Sequence, residues 1–176
     1  MPTLTERLVD LGLLGTPSDA ERSEWADVDH DNDEFWDSEV AEILFRRWGN
    51  TGGLRHGFLA HDWRFGSETQ DVIAELAQAL ADERLAMRQL SMKDGVIEVE
   101  VALDGETFER HSINVTSLAD VGYKVDAWLA ASGAARRVFQ LETGGDWHAF
   151  LLCSPEVMDR LRGAGMRLED ELEPDE

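Results

Sequence analysis

Apolar residues recur at helical spacing through the first fifty positions and again after residue 67, and alternate with polar ones beyond residue 85. In TLTERLVDLGLLG, Leu4, Leu8 and Leu11 share a helical face, Thr3 and Glu6 form a capping box, and Gly15 stops the element. Ser18 and Glu21 form a second box that opens a short polar helix toward Trp25. Asp37 or Ser38 then caps SEVAEILFRRWG, whose Val40, Ile43, Leu44 and Trp48 make an apolar stripe ending at Gly49. Residues 49–66 are glycine-rich and irregular, a long loop or a hairpin with aromatic anchors. Ser67 and Gln70 cap the strongest helical pattern, SETQDVIAELAQALADERL, with Val72, Ile73, Leu76 and Leu80 on its buried face.

The period then changes to two. AMRQLSM, an Asp94-Gly95 turn and VIEVEVAL read as a hairpin, with Ile97, Val99, Val101 and Leu103 facing one way and Glu98 and Glu100 the other. Asp104-Gly105 turns into ETFERHSIN and completes a three-stranded antiparallel meander with one wet face. Ser117 caps LADVGYKVDAWLAASG. RRVFQLET and WHAFLLCS, joined at Gly144-Gly145-Asp146, make another hairpin, and Ser154-Pro155 opens a final helix, EVMDRLRGAG. The expected fold is α+β: an antiparallel β-meander and hairpin with helices packed on one face, preceded by a helical N-terminal segment. Its expected organisation is an acidic helical segment at 1–48, a glycine-rich loop at 49–66, an α+β core domain at 67–168 and an acidic flexible tail at 169–176.

At 176 residues, 43% hydrophobic, with six Trp and seven Phe, the chain has the material for a real core. Net charge changes the picture more. At −21, the chain is a poor match for nucleic acid or an anionic membrane, both of which select positive surface. The charge is also segregated: residues 18–42 carry eleven acids against Arg22, and residues 167–176 carry six against Arg167. These seventeen acids and two bases account for 15 of the 21 net charges. Salt adaptation would spread acids over the whole surface, although the presence of only two lysines, Lys93 and Lys124, among sixteen bases fits it. No apolar run approaches the roughly 18 residues of a membrane span. The N-terminus lacks a signal peptide's basic start and unbroken apolar stretch, and the lone Cys153 suits a reducing compartment, so the expected location is cytoplasmic.

Candidate chemistry concentrates in DVDHDNDEFWD, residues 27–37. An EF-type calcium loop needs oxygen ligands at positions 1, 3 and 5, glycine at 6 and glutamate at 12. Starting at Asp27 puts Asn32 sixth and Ser38 twelfth; starting at Asp29 puts Glu34 and Val40 there; starting at Asp31 recovers Glu42 but puts Phe35 fifth. No register works, and neither metal nor cofactor is expected. GNTGGLRHG, residues 49–57, contains Arg55 and follows Arg46 and Arg47, but it lacks the lysine-hydroxyl pair of a P-loop. Cys153 and His148 sit five apart on one expected strand, hence on opposite faces, and Cys153 reads as a small buried hydrophobe. The remaining pattern is aromatic anchors within a charged rim, as protein interfaces use: Trp25, Phe35 and Trp36 among Asp27, Asp29, Asp31, Asp33, Glu34 and Asp37. The alternative for these aromatics, and for Trp63, is that they tuck the N-terminal segment onto the domain.

From HDWRFGSETQDVIAELAQAL to GDWHAFLLCSPEVMDRLRGAG, roughly residues 61–166, the chain resembles the small α+β immunity proteins that accompany bacterial polymorphic toxins. The likeness lies in the tryptophan-led long helix and in the junction FLLCSPEVMDRL, where a closing hairpin feeds a short final helix. It implies a protein-binding inhibitor without catalytic residues, occluding the active site of a cognate toxin domain that is basic, such as a nuclease. It carries over no site residue. Two other readings remain open: a metal-dependent hydrolase using His56, His61 and Asp62, and a DNA-mimic regulator whose carboxylates stand in for phosphates.

Overall fold

The computed structural model describes residues 1–49, 53, 56–62, 68–81, 83–115 and 118–168, with backbone alone at 61–62, 68–72 and 118–119. The fold is α+β, as the periodicities imply. Helices α1 (Leu4–Asp10) and α2 (Asp19–Glu24) precede strand β1 (Phe35–Trp36), helix α3 (Asp37–Trp48) and strand β2 (Phe58–Asp62). Helix α4 (Glu68–Ala79) leads into β3 (Leu85–Lys93), β4 (Val96–Leu103) and β5 (Glu109–Asn114). Then come α5 (Leu118–Ser132), β6 (Arg137–Leu141), β7 (Trp147–Cys153), α6 (Pro155–Gly163) and β8 (Met166–Arg167). Both early capping boxes form, Thr3 with Glu6 and Ser18 with Glu21. The caps assigned to Ser67 and Ser117 and the tail from Glu169 lie outside the described residues.

The meander forms as an antiparallel sheet in the order β3-β4-β5. At its first turn Asp94 and Gly95 both take positive φ, 52° and 76°, the geometry that a tight two-residue hairpin requires. Ile97, Val99 and Val101 are buried on one face, while Glu98 and Glu100 point outward and pair with Arg110 and Arg88. Helices cover only the buried face.

A second sheet, β2-β7-β6, contains the expected β6–β7 hairpin and adds a strand that the sequence reading did not have. The 49–66 stretch, read there as a loop or hairpin, contributes β2, which runs antiparallel to β7 with Phe58 opposite Leu151 and Ala60 opposite Ala149. Phe58, Leu59 and Ala60 are all buried, so the strand shows no alternation, and its brevity among glycines hides it. β7 is the central strand, and Ala149 to Cys153 are buried without interruption.

A strand with no wet face needs a layer on each side. On one side, Leu59, Val138, Phe150 and Leu152 pack with α4, α5 and the buried face of the meander. On the other, Phe58, Ala60, Leu141, Ala149, Leu151 and Cys153 pack with α6 and with Leu4, Leu8, Leu14, Val40, Ile43 and Leu44. Segment 1–48 is therefore a wall of the core. Each buried Leu, Ile or Phe is worth about 1.5–3 kcal/mol, so leaving that side of β7 bare would cost more than a domain's typical net stability.

Helix α5 approaches β7 closely because residue 122 is glycine. A Cβ there would lie 2.5 Å from Phe150 Cε1 and 3.1 Å from Cδ1. Gly122→Ala should destabilise the protein by about 1–2 kcal/mol, since overpacking outweighs the ordinary helical gain from alanine. Gly163→Ala, where a Cβ meets nothing within 4 Å, should be neutral or stabilising. Urea midpoints check both, and a more stable Gly122→Ala would show that α5 is not seated on Phe150.

Candidate functional site

The acidic stretch 27–37 is pinned to the wall beneath it. The first turn of α1 has N–H groups with no partner inside the helix, and the stretch meets them. Leu4 N donates to the His30 carbonyl at 3.1 Å, and Thr5 N to Asp29 Oδ1 at 2.8 Å, where the positive end of the helix also favours the carboxylate. Phe35 N donates to the Gly165 carbonyl at 3.1 Å, and β1 pairs in parallel with β8, Phe35 opposite Met166 and Trp36 opposite Arg167.

Arg7 locks these pieces together. Arg7 is 8% exposed, and its guanidinium donates to four carbonyls: Nε to Pro2 at 3.2 Å, Nη1 to Asp33 at 3.2 Å and to Ala164, and Nη2 to Asn32 at 2.5 Å. The cation also lies 5.4 Å from the Phe35 ring centroid. A planar fork of donors suits this arrangement in a way that a lysine ammonium would not. Sequence reading missed Arg7, which looks like any polar-face residue of a short helix; only the burial of Leu4 and Leu8 beside it hints at its surroundings.

The structure divides the nine expected contact residues. Trp25 and Phe35 are 1% and 3% exposed and belong to the core, which corrects their reading as interface anchors: their rings fill the wall between α1, α3 and the second sheet. Asp37, 3% exposed, is also withdrawn from the surface and accepts a hydrogen bond from Glu142 N at 3.0 Å. Neither Asp37 nor Ser38 is the cap of α3, since both lie within the helix. The cap is Trp36, whose N–H donates to Glu39 Oε2 at 2.7 Å, while Glu39 Oε1 lies 2.8 Å from His30 Nε2. Asp29 is spent on Thr5, and Glu34 pairs with Arg167 at 2.5 Å.

Asp27 takes a two-pronged bond from Arg46, 2.6 and 2.9 Å, which holds its carboxyl below the ordinary value. Arg46 also bonds Glu42 at 2.8 Å. Arg47 bonds Glu21, whose carboxyl is held down to about 2 by the Ser18 backbone and hydroxyl and then by Arg47. Asp27 and Glu34 remain exposed within their ion pairs, and Trp36, 37% exposed, stands outward with Asp31 and Asp33, neither of which has an ion pair among the described residues.

Of the His56, His61 and Asp62 set, the structure describes the side chain of His56 alone. The His56 ring stacks on Trp48, centroids 4.7 Å apart and planes 6° from parallel. His61 and Asp62 are strand residues opposite His148 and Trp147, and their side chains, like Trp63 as a whole, lie outside the described residues. Among the described residues no three His, Cys, Asp or Glu side chains gather as metal ligands would. Burial holds His148 below its ordinary pKa. Nor is any helix among the described residues long and apolar enough to cross a membrane. No protein-family model, curated protein or solved structure matches the chain.

Arg7→Ala should cost about 3 kcal/mol by orphaning buried carbonyls, and Arg7→Lys should cost less. In both variants the amides of residues 29–36 should exchange faster with solvent; unchanged exchange there would remove Arg7 from its positioning role. Cys153, 6% exposed, has its thiol pushed up to about 12 by burial. It should resist iodoacetamide at about pH 8.5 in the native protein and react once unfolded. Because the unfolded thiol ionises near its ordinary value and the folded one does not, stability should fall as pH rises above that value.

Proposed function

We propose that the chain is a stoichiometric protein inhibitor, an immunity protein that neutralises a basic toxin domain by occluding its active site. The observation that carries this reading is Trp36, a large aromatic held outward beside Asp31 and Asp33, which have no ion pair among the described residues, on a backbone that Arg7 and α1 already fix. An interface concentrates its energy in such aromatic anchors. Preorganisation matters as well, since little ordering entropy remains to be lost on contact. The net charge of −21 steers a cationic partner and disfavours nucleic acid and anionic lipid. Trp25 and Phe35 support this surface from beneath and do not touch the partner. Occlusion asks nothing of the chain beyond shape, charge and rigidity.

The tagged chain, used to capture proteins from its host at low and high salt, should retain one basic polypeptide at near-equal stoichiometry. That polypeptide's own activity should vanish at a one-to-one ratio. Trp36→Ala should weaken the complex by about 2 kcal/mol, roughly 30-fold. Asp31→Asn with Asp33→Asn should slow association and flatten its salt dependence. Capture of several unrelated DNA-binding proteins would favour a DNA mimic instead. Wild-type affinity in Trp36→Ala, or no retained partner at either salt, overturns the proposal.

A further inference from the structure

The second surface lies on the other outer layer, at the free edge of the meander. Strand β5 pairs with β4 through six consecutive residues without a break, Val96 opposite Asn114 to Val101 opposite Glu109, whereas the opposite edge strand, β3, is bulged between Gln89 and Ser91. Val115 N donates to the Gly95 carbonyl at 2.7 Å, so that pair is of the hydrogen-bonded kind. Alternation along an antiparallel ladder then turns the backbone groups of Glu109, His111 and Ile113 toward β4 and those of Arg110, Ser112 and Asn114 away from it. No other backbone bond is made by these three among the described residues.

This edge does not open onto bulk solvent alone. Ser112 and Asn114 form one side of a groove of about 440 Å³, and Tyr123, Lys124 and Ala127 of α5 form the other. Residues 120, 123, 124 and 127 lie on one flank of the helix, which runs along the strand as a second wall. Tyr123 is 65% exposed. Lys124 has no ion pair among the described residues, while the neighbouring acids are engaged: Glu98 with Arg110, Asp126 with Arg137, and Asp120 with a partner of its own. Among the described residues the groove therefore offers unpaired backbone donors and acceptors on one wall and, on the other, a cation outside any ion pair beside an exposed aromatic, with Asp120 one helical turn away.

We propose that the β5–α5 groove binds an extended peptide segment of another protein, which adds to β5 as a fourth strand and sets an Asp or Glu side chain against Lys124. Strand addition of this kind takes its affinity from backbone bonds and its specificity from alternate side chains. The carboxylate follows from Lys124, and an apolar neighbour two residues along the segment would meet Tyr123 and Ala127. The groove and the Trp36 surface use different residues, so either can fail alone.

A displayed library of random linear dodecapeptides, selected on the intact protein and resynthesised, is the probe. Enriched peptides should carry an acid within a run of β-forming residues and should slow exchange of the Arg110, Ser112 and Asn114 amides. Lys124→Glu should weaken them at least tenfold, as should replacing the peptide's acid by its amide. Lys93→Glu, the same charge change at the exposed β3–β4 turn, should leave binding unchanged. Ser112→Pro, which removes an outward N–H, should abolish it, with thermal unfolding to verify the fold. Failure to enrich any peptide overturns the proposal, as do binders indifferent to Lys124→Glu or unaltered edge exchange. A concentration-dependent dimer by sedimentation, lost in Ser112→Pro, would give the edge to a second copy and overturn it equally.

Discussion

Everything in this fold follows from one strand that cannot tolerate water on either face. Ala149, Phe150, Leu151, Leu152 and Cys153 are consecutive and buried. Phe150 and Leu152 commit one face to α4, α5 and the meander; Leu151 and Cys153 commit the other to α1, α3 and α6. Two layers of cover are obligatory, and the chain supplies the second from its first fifty residues. Packing of the acidic N-terminal segment against the sheet is thus a demand of the core, and the acidic stretch inherits a fixed position from it.

That inheritance explains how a run of like charges stays ordered. Six acids between residues 27 and 37 repel one another, and the fold answers with dipoles and arginines placed by neighbouring elements. Asp29 meets a helix N-terminus, Asp27 meets Arg46, Glu34 meets Arg167, and Asp37 goes inside to a backbone N–H. Exposed pairs of this kind contribute little each, at most about 1 kcal/mol. The buried Arg7 contributes more, because it engages four carbonyls of the turns and leaves no carboxylate committed to itself. The clamp works through main chain, and Asp31 and Asp33 carry no ion pair among the described residues.

The sequence was legible where a period repeats and a cap has its usual chemistry. The meander, its Asp-Gly turns and the stripe of Val40, Ile43 and Leu44 all read directly. Strand β2 did not, because Phe58, Leu59 and Ala60 are buried on both faces and three apolar residues carry no period. Among the aromatics, Trp25, Phe35 and Trp36 look alike between acids, and only tertiary packing separates two core rings from one exposed ring. Trp36 as the cap of α3 was equally hidden, since tryptophan has no capping oxygen and Glu39 reaches back to its N–H instead. Arg7 lay beyond sequence reasoning because its four acceptors come from residues as far away as Ala164.

The two proposed surfaces belong to different layers, and their physics differs accordingly. The Trp36 surface acts at a distance through net charge, and screening shortens that reach to about 8 Å at physiological salt. The β5 edge acts only on contact, through backbone hydrogen bonds whose strength hardly depends on ionic strength, with a single cation to set register. A partner engaged through the acidic loop should therefore be lost progressively as salt rises, while one engaged through the edge should lose only the Lys124 contribution. Since α4, α5 and the second sheet separate the two, occupation of the loop leaves the edge open. If both proposals hold, one chain binds a basic domain on its N-terminal wall and an extended segment bearing one acid on its meander at the same time.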